Sequence, residues 1–274
     1  MSRLNACFTA LKADNKAAFV AYTQAGDPSL EVSSAIIQGM PAVGVDIIEL
    51  GMPFTDPAAD GPAIDCAAQR AIAAGATMKQ TLGIVTEFRK NNDTTPIVLM
   101  GYFNPVHDYG CKAFAKDAAA AGVDGLIIVD LPPEEDEELR SPANAAGIDV
   151  IRLATPTSDD ARLPTIVSGA SGFVCYVAVA GTTGGKSATA DNIGAAVRRI
   201  KKHTALPVAV GFGIRTPEQA AAVAARADGA VVGTAIVDVI AAGVDENGTL
   251  KAGLAEEVLD FTRKLADGVK AGTE

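Results

Sequence analysis

Short apolar runs of β type recur along the chain, at Ala18–Tyr22, Asp46–Leu50, Pro96–Tyr102, Gly125–Asp130, Asp149–Ala154, Gly172–Val179, Leu206–Val210 and Gly229–Gly233. Between them lie alanine-rich segments with helical spacing, among them Leu30–Met40, Lys112–Ala121, Asp191–Lys202 and Pro217–Ala225. Strands alternating with helices read as right-handed βα units on a parallel sheet. Eight units in about 250 residues predict a single (β/α)8 TIM barrel. An extra helix precedes the first strand, and one domain spans 1–274. A doubly wound open sheet is the competing architecture, but it calls for a GxGxxG turn after the first strand, and none stands there.

An internal echo supports the repeat. Gly44-Val45-Asp46, Gly122-Val123-Asp124, Gly147-Ile148-Asp149 and Ala227-Asp228-Gly229 each close a helix and open a strand. Glycine ends the helix and aspartate stands at the strand entrance. These four acids therefore fall at the N-terminal face of the barrel, where position serves stability rather than chemistry. The two largest gaps between strands hold extended loops after strands 2 and 6, Gly51–Pro62 and Gly181–Ala188. Both emerge at the C-terminal face, where barrel enzymes carry their active sites.

Composition narrows the setting. Hydrophobic residues make up 49% of the 274 and aromatic residues only 5%, with no Trp, so the core is built from aliphatic side chains. A formal charge of −10 argues against nucleic acid or an anionic membrane as partner, because both select basic surfaces. Cys7, Cys66, Cys111 and Cys175 form no CxxC pair, and His107 and His203 stand far apart, so no metal site is expected. With no apolar leader at Met1–Phe8 and no membrane-length run, the expected setting is cytoplasmic.

The candidate chemistry sits at strand ends. Glu49 shares a face with Ile47 near the C-terminus of strand 2, so it points into the barrel mouth. Desolvation there raises a carboxyl pKa toward neutrality and makes it a usable acid/base; the plainer reading is a rim glutamate bridging to a nearby loop. Asp60 lies on a loop stiffened by Pro53, Pro57 and Pro62, and could act opposite Glu49 or merely shape the turn. Asp56 reads as a turn residue before Pro57, and Asp130 as an orienting group or a strand terminator. Glu134–Glu138 reads as an acidic helix start favoured by the helix dipole. Glycines after the last three strands, Gly184 and Gly185, Gly211 and Gly213, and Gly233 with Thr234, predict a phosphate held by backbone N–H groups. Inner residues Tyr22, Met100, Ile127, Val129, Leu153 and Phe212 form an apolar throat suited to a flat hydrophobic group. No lysine stands in a strand, which disfavours Schiff-base chemistry; Lys186 lies on a loop.

The run Ile48-Glu-Leu-Gly-Met-Pro-Phe-Thr-Asp-Pro-Ala-Ala-Asp-Gly-Pro62 closely resembles the signature of the tryptophan synthase alpha chain family. Ala25–Pro28, Met100–Val106, Asp130–Pro132, Gly211–Ile214 and Val232–Ile236 match the same pattern. The resemblance implies a (β/α)8 lyase that cleaves indole-3-glycerol phosphate to indole and glyceraldehyde 3-phosphate. It also implies an alpha2-beta2 assembly with a beta chain that carries pyridoxal phosphate, this chain having no cofactor of its own. By position, Glu49 matches the acid/base acting at indole C3 and the glycerol hydroxyl, and Asp60 the partner of the ring nitrogen. Tyr22, Met100, Tyr102, Ile127, Val129, Leu153, Thr183 and Phe212 would then line the substrate, with Gly184, Gly213, Gly233 and Thr234 at its phosphate.

The chain departs from the family pattern at Cys175-Tyr176-Val-Ala-Val179, where Cys175 takes the place of an expected Tyr and Tyr176 turns to the other side of the strand. His107 falls in the segment that faces the beta chain in the family and reads as an interface or surface residue. A second reading follows from the altered segment: a catalytically weak barrel kept as an allosteric partner of the beta chain. Indole-glycerol-phosphate synthase, another barrel, would call for a strand lysine.

Overall fold

The computed structural model describes residues 2–178, 190–211 and 213–273. Among them the strands are β1 (Ala18–Gln24), β2 (Ile47–Gly51), β3 (Ile97–Gly101), β4 (Gly125–Ile128), β5 (Asp149–Val150), β6 (Arg152–Ala154), β7 (Val174–Val177), β8 (Val208–Gly211) and β9 (Gly229–Val232). All pairings are parallel, in the order β5-β4-β3-β2-β1-β9-β8-β7-β6. β5 and β6 are one run interrupted at Ile151: its first half pairs with β4 and its second with β7, which closes the ring. All eight predicted runs are therefore barrel strands. β1 is longer than the apolar pattern indicates, because Thr23 and Gln24 pair with Leu50 and Gly51 despite their polar side chains.

Helices surround the ring: α1 (Arg3–Ala13), α2 (Leu30–Gly39), α3 (Pro62–Ala73), α4 (Met78–Arg89), α5 (Phe103–Tyr109), α6 (Cys111–Ala121), α7 (Glu137–Ala145), α8 (Leu163–Val167), α9 (Ala190–Ile200), α10 (Pro217–Ala224), α11 (Thr234–Ala242) and α12 (Leu254–Ala271). The core forms two layers, as period-2 strands require. Ile48, Leu50, Leu99, Leu126 and Val210 face the helices, while Val20, Ile47, Val98, Ile127, Phe173 and Ala209 fill the barrel. The extra helix α1 plugs the N-terminal end. Its Leu4 and Phe8 join the barrel interior, Phe8 lies 5.6 Å from the Phe173 ring, and Arg3 bonds Asp124 at 2.9 Å.

The strand-entrance acids make a repeated clasp. Asp46 Oδ2 accepts the Phe19 N–H (2.8 Å), Asp124 Oδ2 that of Ile97 (2.8 Å) and Asp228 Oδ2 that of Val208 (2.7 Å). Each acid's own N–H returns to the carbonyl of the same partner. Asp149 opens its strand as expected but does not make this clasp; Ser171 Oγ takes the fourth place, accepting the Val150 N–H at 2.9 Å. The clasp thus joins every second pair of barrel strands, β1–β2, β3–β4, β5–β7 and β8–β9. Asp149 opens a strand of the other parity, so a shared Gly-x-Asp spelling does not give it the same partner. Gly44, Gly122 and Gly147 all have positive φ, as helix-ending glycines should. Among the described residues no helix is long and apolar enough to cross a membrane.

Candidate active site

The site is built where β1, β2 and β3 end. In the register Tyr22 lies beside Glu49 and Gln24 beside Gly51, with Glu49 next to Val98 on its other flank. Because Ile47 fills the barrel, period 2 turns Glu49 inward as well. Its side chain is only 4% exposed, and Oε2 finds no hydrogen-bond partner among the described residues. Burial, followed by the nearby charge of Asp60, pushes its carboxyl up to about 7. Among the described residues it makes no bridge to a neighbouring loop of the kind a rim glutamate would.

Asp60 is presented by the loop that leaves β2. Met52 N–H bonds the Met100 carbonyl (2.7 Å), which ties the loop root to β3. Asp60 N–H bonds the Pro57 carbonyl (3.0 Å), and Tyr102 Oη accepts the Ala59 N–H (3.0 Å). The Tyr102 ring lies 5.4 Å from that of Phe54, so one side chain holds the loop at two points. Burial raises the Asp60 carboxyl to about 6, against the lowering effect of the Tyr102 hydroxyl; the charge of Asp65 adds to the rise. Near neutral pH the pair thus offers one ionised and one partly protonated carboxyl, an arrangement suited to acid and base work in one site.

The wall behind these acids rests on a contact with no sequence signal. Asp27, fully buried in the loop after β1, receives Arg70 Nε and Nη2 from α3, both at 2.8 Å. This fork locks the helix that follows Asp60 onto the loop that follows β1. Gly26 lets them close, since its φ is +84° and a Cβ there would stand 2.6 Å from that of Ala76. A second unanticipated residue is Gln24, which is 2% exposed and accepts the Tyr22 hydroxyl at 2.6 Å. A β1 extended by two residues would have put Gln24 on the Tyr22 face.

The described members of the apolar throat lie on the faces that the alternation indicates. Met100, Val129 and Leu153 pack on the interior cluster that includes Ile127, while Tyr22 meets Ile64 and Ala67 of α3 and Val237 of α11. Cys175 faces the interior and Tyr176 the helices. Burial and then the charge of Glu49 push the Cys175 thiol well above its ordinary value, which places it in electrostatic reach of that carboxyl. At the opposite rim, Gly213 has a φ of +63° and, among the described residues, no atom within 4 Å of an added Cβ. Gly233 opens α11, and its carbonyl takes the N–H groups of Ile236 and Val237. The N–H groups of Thr234 and Ala235 precede the first intrahelical bond and point out of the helix start. Thr183, Gly184, Gly185, Lys186 and Phe212 lie outside the described residues.

Asp130 Oδ1 accepts the Phe103 N–H (2.8 Å) at the start of α5, the orienting role of the two considered for it. Asp56 is exposed. The His107 side chain is 62% exposed, on α5. Glu137 and Glu138 occupy the first turn of α7, as the dipole argument expects, but Glu134 and Glu135 stand in the turn before it, and Asp136 is buried against Arg140 and Arg152 instead of forming part of a solvated helix start.

Residues 8–269 match the family model described as tryptophan synthase alpha chain. The chain is similar to tryptophan synthase subunit alpha from Legionella pneumophila str. Paris, with 35% identity over 98% of both chains and a TM-score of 0.89. It is also similar to a chain of tryptophan synthase from M. tuberculosis in the aminoacrylate-bound form, with 34% identity, 98% and 100% coverage and a TM-score of 0.86. A structure from Aquifex aeolicus VF5 gives 32% identity, 98% and 99% coverage and a TM-score of 0.87. Signature loop, barrel and whole-length likeness agree, and the chain belongs to the tryptophan synthase alpha chain family.

Proposed function

We propose that this chain is a carbon–carbon lyase that cleaves indole-3-glycerol phosphate to indole and glyceraldehyde 3-phosphate. The observation that carries the reading is the pair Glu49 and Asp60, two carboxyls raised to about 7 and about 6 at the mouth of an apolar throat. In the reaction, protonated Glu49 gives its proton to indole C3, and ionised Asp60 stabilises the cationic ring nitrogen. Glu49, now a carboxylate, takes the proton of the glycerol hydroxyl on the carbon attached to C3. The bond from C3 to that carbon breaks, its electrons restore the indole, and the alcohol carbon leaves as an aldehyde. Glu49 ends protonated, ready for another turnover.

Tyr22, Met100, Tyr102, Ile127, Val129, Leu153, Thr183 and Phe212 enclose the indole in this reading. The phosphate rests on backbone N–H groups at Gly184, Gly213, Gly233 and Thr234, which suits an acidic chain because amides bind anions without net charge. The chain acts as one domain in the cytoplasm and hands indole to a beta chain in an alpha2-beta2 assembly, where pyridoxal phosphate supplies the chemistry that joins indole to serine. The test is indole release from indole-3-glycerol phosphate, by the purified chain alone and with its beta chain. Absence of indole in both would overturn the lyase reading. Stimulation of the beta reaction without cleavage would favour the allosteric-partner reading instead, which the Cys175 departure motivates.

A further inference from the structure

Tyr22 and Glu49 are lateral neighbours on the inner faces of β1 and β2. A buried phenol beside a buried carboxyl is an obvious hydrogen-bond donor to it, and the low local dielectric strengthens such a bond. The Tyr22 hydroxyl is nonetheless committed elsewhere, to Gln24 Oε1 at 2.6 Å. Both polar tips occupy the space over Gly51, where an added Cβ would lie 2.3 Å from Tyr22 Oη and 2.5 Å from Gln24 Oε1. Glycine at 51 is therefore what admits the pair. The arrangement is not one that stability alone would select, since Gln24 Nε2 and Glu49 Oε2 are both buried without a partner among the described residues.

We propose that Gln24 is a positioning residue that holds the Tyr22 hydroxyl turned away from Glu49, so that the Glu49 carboxyl stays open to the substrate. The proposal rests on the lyase reading for its purpose, though not for its geometry. A hydroxyl donated to Glu49 would stabilise the carboxylate, lower its affinity for a proton and occupy the oxygen needed at the substrate. Among the described residues, the titratable groups around Glu49 are Tyr22 from β1, Asp60 from the loop after β2, and Cys175 from β7. Tyr22 in turn feels Asp60, Glu49, Asp27 and Tyr102. With anionic neighbours on several sides, its proton goes to a carboxylate unless a neutral acceptor holds it. The Gln24 carboxamide is that acceptor.

The test is the titration of Glu49 followed by carbon NMR of protein labelled at the glutamate side-chain carboxyls, with the Glu49 signal assigned by Glu49→Gln. Gln24→Met keeps the volume but removes the acceptor, and is expected to lower the Glu49 midpoint by about one pH unit. Tyr22→Phe with Gln24→Met is expected to bring the midpoint back to the wild-type value. Tyr22→Phe alone is expected to leave it unmoved, so that a rise there overturns the proposal even if Gln24→Met fails to fold. No shift in folded Gln24→Met, a shift that survives in the double variant, or a rise in Tyr22→Phe would each overturn the proposal. The titration uses no substrate, so it stands apart from the indole-release assay. If indole is released, the limb of the pH–rate profile that reports Glu49 must move with the NMR midpoint and be rescued in the double variant.

Discussion

At the N-terminal face Asp46, Asp124 and Asp228 each accept a strand N–H, and Asp124 also receives Arg3 and Arg89. At the opposite mouth Glu49 has an oxygen without a protein partner among the described residues, and Asp60 leans on a tyrosine hydroxyl. Both ends bury carboxyls in the same sheet. They differ in whether a donor was built to meet the charge. A carboxylate with its donors in place is a strut, whereas one buried without them holds its proton more tightly and becomes reactive. The fold can afford the second kind because the first kind, with α1 plugging the end, secures the opposite end of the ring.

The sharpest way to separate the two ends is to remove one acid from each. Glu49→Gln should cost about 10²–10⁴-fold in indole release while leaving the folded protein intact; activity within a few-fold of wild type would sink the role given to Glu49. Asp124→Ala should do the reverse. It leaves Arg89, only 11% exposed, without its carboxylate and frees the Ile97 N–H. A loss of about 3–5 kcal/mol in urea unfolding is expected, with normal turnover per folded molecule. An unchanged midpoint would show that the clasp is dispensable.

Proton linkage sharpens the same contrast. The Glu49 pKa is raised from 4.5 to about 7 on folding, so between those values the unfolded chain releases a proton that the folded chain keeps. Its contribution to stability is therefore fully present below 4.5, falls as pH rises, and levels off above about 7. Wild type should lose up to about 3 kcal/mol relative to Glu49→Gln across that window. A parallel pair of stability curves would refute the buried, unpartnered state of Glu49. Tyr102→Phe is a milder break. It removes the hydroxyl that lowers the Asp60 pKa and accepts the Ala59 N–H, so the Asp60 limb of the pH–rate profile should rise above about 6. The accompanying stability loss should be about 1 kcal/mol. Exposed Asp56 sets the floor: Asp56→Asn should change stability by less than about 0.5 kcal/mol and leave turnover alone.

Much of this arrangement was legible in the chain because it obeys local periods. Alternation put Glu49 with Ile47 in the barrel and split Cys175 from Tyr176, and all three placements follow from one residue per face. Gly44, Gly122 and Gly147 announced helix ends through a backbone conformation that glycine favours. The illegible parts are pairings. Asp27 meets Arg70 across 43 positions, and neither residue's surroundings in sequence distinguish the fork from a surface charge. Gln24 was hidden because polar Thr23 and Gln24 read as the end of a strand that in fact continues. Ser171, rather than Asp149, completes the clasp because strand parity, not spelling, decides which entrance faces which N–H.

The sequence by itself determined the eight βα units, the faces of their strands, the loop that carries Asp60 and the resemblance that leads to the family. Those properties depend on side-chain period, capping and composition, which act over a few residues. The tertiary structure decided which acids were met by donors and which were left to titrate near neutrality. That distinction depends on desolvation and on partners brought in from other strands and helices, and only ring closure sets them.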